Sequence, residues 1–217
     1  MTALRNWESL SIDQRLALRT ATTHLRDQFA GIYGQETIER FLHTSFDQFA
    51  STSTITHFLP LLAERFARQR LTALAKIEGL RDDGRKVVLF LCTHNAGRSQ
   101  MALGFFQHIA GTQATAWSGG SEPGSAINPI AIQTMTERGI DISREFPKPW
   151  TDEIVRAADV VVTMGCGDAC PVFPGKRYED WAVDDPANAD LSDVRAIRDD
   201  IERRVRDLLN RIEVTTA

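Results

Sequence analysis

Lys86-Val87-Val88-Leu89-Phe90-Leu91 runs directly into Cys92-Thr93-His94-Asn95-Ala96-Gly97-Arg98-Ser99. The first part is a short, continuous apolar run, the pattern of a parallel strand buried on both faces. The second part is a cysteine, five residues, an arginine and a serine, and helical spacing begins at Ser99 and continues to Ala110. A loop closing on a helix N-terminus gathers backbone N–H groups and the positive end of the helix dipole. Such a nest suits a tetrahedral anion such as phosphate or arsenate. Thr93, His94, Asn95, Ala96 and Gly97 are the expected oxyanion-binding loop, and the planar fork of Arg98 can hold two anion oxygens. The same field favours ionised sulfur at Cys92, and Ser99 can donate a hydrogen bond to it. Gly97 and Asn95 tolerate the tight backbone that such a loop requires. The alternative is an inert cysteine buried at a strand end, as free cysteines often are.

Downstream the apolar pattern alternates between strand and helix. Thr115–Ser118 reads as a second strand, Asn128–Arg138 as a helix closed by Gly139, and Thr151–Ala158 as a short helix. Asp159–Met164 is another buried strand, and Lys176–Val183 holds a last one. Asp193–Ile212 is a charge-laced helix with Val194, Ile197, Ile201, Val205, Leu208 and Leu209 on one side. Alternating strands and helices predict an α/β fold, a parallel sheet with helices on both faces.

Upstream the chain reads as helix alone. Leu18, Ala21, Leu25, Phe29 and Ile32 share a face, with Ser11 as cap and Gly34 as stop. A second stripe holds Ile38, Phe41, Leu42, Phe46 and Phe49. A third holds Phe58, Leu61, Leu62, Phe66, Leu74, Ile77 and Leu80. Pro60 belongs near the start of the third helix, since deeper it would break the backbone ladder. The expectation is a small all-α three-helix bundle over 1–84, joined by the polar break Arg81–Arg85 to an α/β domain over 85–217.

The chain has 217 residues, 42% hydrophobic and 25% charged, the proportions of a globular protein. It has no apolar run long enough to span a membrane and no leader pattern, so a cytoplasmic address is expected. A net charge of −4 argues against general nucleic-acid binding. Residues 1–80 carry nine basic and eight acidic side chains, with no basic recognition helix. Packing or homodimerisation is the expected role of the bundle, ahead of DNA reading. The five histidines (His24, His43, His57, His94, His108) are scattered, and no metal or cofactor is expected.

The segment from Val87 to about Leu209 resembles the low-molecular-weight tyrosine phosphatase fold, and within it the arsenate reductase branch. The resemblance rests on Cys92–Ala102, Trp117-Ser-Gly-Gly120, Asn128-Pro-Ile-Ala-Ile132, Gly139-Ile-Asp-Ile-Ser143, Ala158–Met164 and Trp181-Ala-Val-Asp-Asp-Pro-Ala187, in that order. It implies a four-stranded parallel sheet, Cys92 as nucleophile, Arg98 as anion clamp, and Asp185 as general acid. Asp184 is adjacent and could substitute for Asp185. The bundle resembles the three-helix extension of some actinobacterial arsenate reductases. Some relatives bind potassium near the position of Lys148, and a lysine could replace that cation.

The remaining cysteines separate two chemistries. Hydrolysis of a phosphoester needs one sulfur, whereas reduction of arsenate needs two electrons from thiols. Cys166-Gly-Asp-Ala-Cys170 follows the third strand, so all three sulfurs are expected at the carboxyl edge of the sheet. Cys166 is the first candidate resolving thiol and Cys170 the last, with the order left open by their short spacing. Asp185-Pro186 is followed by Ala187-Asn188, with no tyrosine, and the chain has only Tyr33 and Tyr178. A small oxyanion therefore suits the site better than a phosphotyrosine peptide. The expectation is reduction of arsenate to arsenite, with thioredoxin or a low-molecular-weight thiol such as mycothiol as reductant, and phosphate or sulfate as mimics of the substrate. A tyrosine phosphatase and a non-enzymatic anion-binding regulator are the alternatives.

Overall fold

The computed structural model describes residues 10–50, 58–165 and 172–212. The chain divides into two compact units, 1–82 and 83–217.

Among the described residues the first unit contains three helices. α1 (Ile12–Gln28) starts with a capping box: Gln14 N donates to Ser11 Oγ at 3.2 Å, and Ser11 N donates to Gln14 Oε1 at 3.1 Å. It buries Leu18, Ala21 and Leu25. It ends earlier than Gly34, because Gly31 takes a left-handed φ of +76° and turns the chain away. Ile32 therefore lies past the helix instead of on its face. α2 (Gln35–Ala50) buries the expected stripe of Ile38, Phe41, Leu42, Phe46 and Phe49. α3 (Leu59–Ile77) carries Pro60 in its first turn, where no backbone donor is lost. Phe58, Leu61 and Leu80 of the third stripe are exposed. Leu80 follows Gly79, whose φ of +67° has already ended the helical path. Arg70 lies 4.7 Å from the centre of the Phe41 ring and donates to Thr44 Oγ1 and Ser45 Oγ, so its charge is held against the bundle by aromatic and hydroxyl partners.

The second unit is a four-stranded, fully parallel sheet in the order β2-β1-β3-β4. Its elements are β1 (Val87–Cys92), α4 (Arg98–Ala110), β2 (Thr115–Gly120), α5 (Pro129–Thr136), α6 (Asp152–Ala157), β3 (Val160–Met164), β4 (Arg177–Asp180) and α7 (Leu191–Arg211). Every residue of β1 is buried, as its unbroken apolar run predicts for a central strand. Successive side chains leave a strand on opposite faces. Val88, Phe90 and Cys92 join Val160, Val162 and Met164 in one core with residues of α4, α5 and α7. Phe90 is its centre, with the rings of Phe106 and Trp181 at 5.8 and 5.9 Å. α6 packs against β1, where Val87, Leu89 and Leu91 supply the other face. β4 is shorter than its expected span. Trp181 N still donates to Thr163 O at 2.8 Å, and the chain then turns off the sheet edge.

The register aligns the carboxyl ends. Cys92 stands opposite Gly120 on one side and Met164 on the other. The segments that follow β1, β2 and β3 therefore leave the sheet side by side, and a crevice at such ends is where parallel sheets bind ligands. No described helix is long and apolar enough to cross a membrane.

Candidate active site

The loop from Cys92 to Gly97 has all its carbonyls occupied. Cys92 O accepts from Ser121 N at 3.4 Å, Thr93 O from Glu122 N at 2.9 Å, and His94 O from Gly124 N at 2.9 Å. Asn95 O accepts from Gln100 Nε2 at 3.0 Å, and Ala96 O from Asn128 N at 2.8 Å. Gly97 O accepts from Gln100 N and Met101 N at 3.1 and 2.9 Å as α4 begins. In a trans peptide the following N–H points opposite to the carbonyl. With the carbonyls turned outward and held, the amides from His94 to Arg98 face the other way. Among the described residues, none of the His94, Asn95, Ala96 and Gly97 amides has an acceptor. Unpaired amides at a helix N-terminus are what an oxyanion needs.

Asn95 is the pivot of the loop. It adopts a left-handed φ of +47°, which asparagine tolerates. Its Oδ1 accepts from Gln100 Nε2 and from Lys148 N, each at 3.0 Å. Its Nδ2 donates to Ser99 Oγ at 2.8 Å. Ser99 Oγ lies 3.0 Å from Cys92 Sγ, and both residues are buried. Because Ser99 Oγ already accepts from Asn95, its own proton is free to point at the sulfur. Gly120 closes the loop from β2, where a Cβ would meet Thr93 O at 2.6 Å.

Arg98 is buried as the first residue of α4, and its guanidinium comes forward to the loop that follows β4. Its Nη2 donates to Asp185 Oδ2 at 2.7 Å. Asp185 Oδ1 accepts from Ala187 N at 3.0 Å, which fixes the carboxylate within its own turn. Gly165, with a left-handed φ of +73°, lets the guanidinium pass: a Cβ there would stand 2.7 Å from Arg98 Nη1. Thr93 Oγ1 donates to Gly165 O at 2.9 Å and ties the loop to the end of β3. On the opposite side Gly97 leaves room for Pro186, whose Cγ would be 2.6 Å from a Cβ at position 97.

The structure thus brings Cys92, Thr93, Asn95, Gly97, Arg98, Ser99 and Asp185 to one crevice. His94 sits on its outer side, with Nδ1 3.0 Å from Glu122 O. Asp184 and Asp185 both line a groove of about 510 Å³ with Asp193 and Asp200, and of the two it is Asp185 that accepts from Arg98 among the described contacts. Cys166 and Cys170 lie outside the described residues. Lys148 is buried, and its backbone N–H holds Asn95. Its ammonium lies 3.5 Å from Glu145 Oε2 and over the Phe146 ring. Gln100 and Asn128 were not singled out as functional from the sequence. Both are helix-start residues in the linear pattern, and their second partners are remote in sequence. Among the described residues no group of His, Cys, Asp or Glu could hold a metal ion.

Comparison with known proteins agrees with this geometry. Residues 87–216 match the low molecular weight phosphotyrosine protein phosphatase family, and residues 18–75 match the protein-tyrosine-phosphatase-like N-terminal domain. Arsenate reductase 1 of Staphylococcus epidermidis is 40% identical over 132 residues, covering 59% of this chain and 98% of that protein. Arsenate reductase of Halalkalibacterium halodurans is 39% identical over 132 residues, covering 56% of this chain and 94% of that protein. A solved thioredoxin-dependent arsenate reductase of Corynebacterium glutamicum superposes with a TM-score of 0.82 at 41% identity, covering 92% of this chain and 98% of that one.

Proposed function

The chain belongs to the low molecular weight phosphotyrosine protein phosphatase family, and from that premise we propose that it is an arsenate reductase working through a cysteine adduct and a thiol relay. The observation that carries the proposal is the loop whose carbonyls are all bonded, leaving the amides of 94–97 without acceptors, with Ser99 Oγ 3.0 Å from the Cys92 sulfur. Reductases about 40% identical to this chain support arsenate as the substrate.

The amides of 94–98 and the Arg98 fork hold three oxygens of arsenate. The Cys92 thiolate, hydrogen-bonded by Ser99, attacks arsenic. Asp185 protonates the departing hydroxide, so that water leaves and an S–As bond forms. Cys166 then attacks the Cys92 sulfur. The S–As electron pair stays on arsenic, which falls from As(V) to As(III), and arsenite departs as the two sulfurs form a disulfide. Cys170 exchanges into that disulfide and presents it to a dithiol reductant of the thioredoxin kind, which returns two electrons. A small thiol could take the same place. A phosphatase would stop one step earlier, with water attacking the adduct.

The test is arsenite production by the purified chain with thioredoxin and its reductase. Wild type turns over, and Cys92→Ser does not. Cys166→Ser and Cys170→Ser each stop multiple turnovers. Undiminished turnover in both resolving-thiol variants would eliminate the relay.

A further inference from the structure

We propose that Asn128 is a positioning residue that fixes the acid-bearing turn at Asp185 against the anion loop. The inference rests on the reading of Asp185 as the general acid. Asn128 is half-buried and precedes α5. Its backbone N–H donates to Ala96 O at 2.8 Å, so its main chain is bound to the anion loop. Its Oδ1 accepts from Ile130 N at 2.8 Å and Ala131 N at 3.3 Å, capping the helix. Its Nδ2 donates to Pro186 O at 3.2 Å, the carbonyl of the residue after Asp185.

The two ends of the amide have opposite tasks. The helix presents only donors, so the oxygen must face it, and the nitrogen is left for Pro186 O. Serine and aspartate cap helices as well as asparagine does, and threonine nearly so. Aspartate has no donor, and serine and threonine carry acceptor and donor on one short hydroxyl, which cannot face the helix and reach the neighbouring loop as the two ends of an amide do. A capping requirement alone therefore does not account for asparagine here, whereas the bond to Pro186 does.

Pro186 is held from both sides. Gly97 of the anion loop approaches its ring so closely that a Cβ would sit 2.6 Å from Cγ, and Asn128 holds its carbonyl. The proline ring restricts φ, and Asp185 Oδ1 is already bound to Ala187 N at 3.0 Å. The turn is stiff in itself, and its remaining freedom is movement as a body away from the loop. The Asn128 side chain opposes that movement, and its own backbone is anchored to the same loop through Ala96.

Asn128→Ser keeps the cap and the backbone N–H and deletes the Nδ2 donor. With arsenate, thioredoxin and its reductase, kcat of the full chain is expected to fall about fivefold, the factor a neutral hydrogen bond is worth. KM for arsenate stays within about twofold, because Arg98 and the loop amides are untouched. Asn128→Asp, which also caps but cannot donate, shows the same split and guards against a fault peculiar to serine. In an Asp185→Asn background, Asn128→Ser produces no further loss, since the group it places is gone. Wild-type kcat in both single variants, or an equal loss on top of Asp185→Asn, would overturn the role. Undiminished turnover in Asp185→Asn alone would instead reject the acid, and the role of Asn128 with it.

Discussion

Arg98 and Asp185 form an ion pair, with Nη2 2.7 Å from Oδ2, although the arginine side chain is 8% exposed and the aspartate 45%. One partner is the anion clamp and the other the proton donor of the proposed reaction. An arriving oxyanion competes with the carboxylate for the same guanidinium edge. Binding of the substrate therefore separates the carboxylate from its charged partner in the proposed reaction.

That competition predicts opposite effects from one substitution. Asp185→Asn should bind phosphate about three- to tenfold more tightly, since a charge-assisted competitor is removed. It should reduce arsenate roughly a hundredfold more slowly, the lower end of what a general acid contributes. Calorimetric titration with phosphate and steady-state turnover read the two arms. Weaker phosphate binding would show that the pair does not oppose the anion.

Gly165→Ala should damage anion binding from outside the loop. The added Cβ would stand 2.7 Å from Arg98 Nη1 at a left-handed φ of +73°. The phosphate dissociation constant and KM for arsenate should both rise about tenfold as the fork is displaced from its productive position. Backbone strain adds about 1–2 kcal/mol of destabilisation, read as a lower urea midpoint. A variant with unchanged phosphate affinity would mean that Arg98 has another route into the site.

Acid sensitivity should reside partly at Glu137. Hydrogen bonding by Arg195, and then its charge and that of Arg198, hold the Glu137 carboxyl below its ordinary value of 4.5. A carboxyl depressed in the folded state contributes stability above its unfolded pKa, and loses it as pH falls through the folded one. Arg198 is buried, with Nη1 3.0 Å from both Thr134 O and Glu137 Oε2, so α7 is tied to the end of α5 by this group. Glu137→Gln should lower the urea midpoint at pH 7 and shrink the further drop between pH 7 and about 3. An unchanged drop would place the acid sensitivity elsewhere.

The sequence made the catalytic loop legible for a local reason. An unbroken apolar run leads into a cysteine, and the arginine and serine proposed to act with it lie six and seven positions along the same segment. Strand, loop and helix could therefore be placed without knowing what packs on them. The three-helix stripes were legible in the same way, apart from their ends: Gly31 and Gly34 are equivalent in composition, and only the backbone path shows which one turns the chain. Asn128 stands at a helix start in the sequence, but its donor meets a carbonyl 58 residues away. Gly165 is space for a guanidinium, which nothing in its sequence surroundings discloses. Lys148 read as a stand-in for a cation, and it is its backbone N–H that touches the loop. These roles depend on partners that no periodicity brings together.

The bond from Thr93 to Gly165, with the close pass of Arg98 over that same glycine, has a mechanical corollary. It pins the last residue before the cysteine-bearing segment to the oxyanion grip. A shift of that strand end therefore reaches the loop and the guanidinium together.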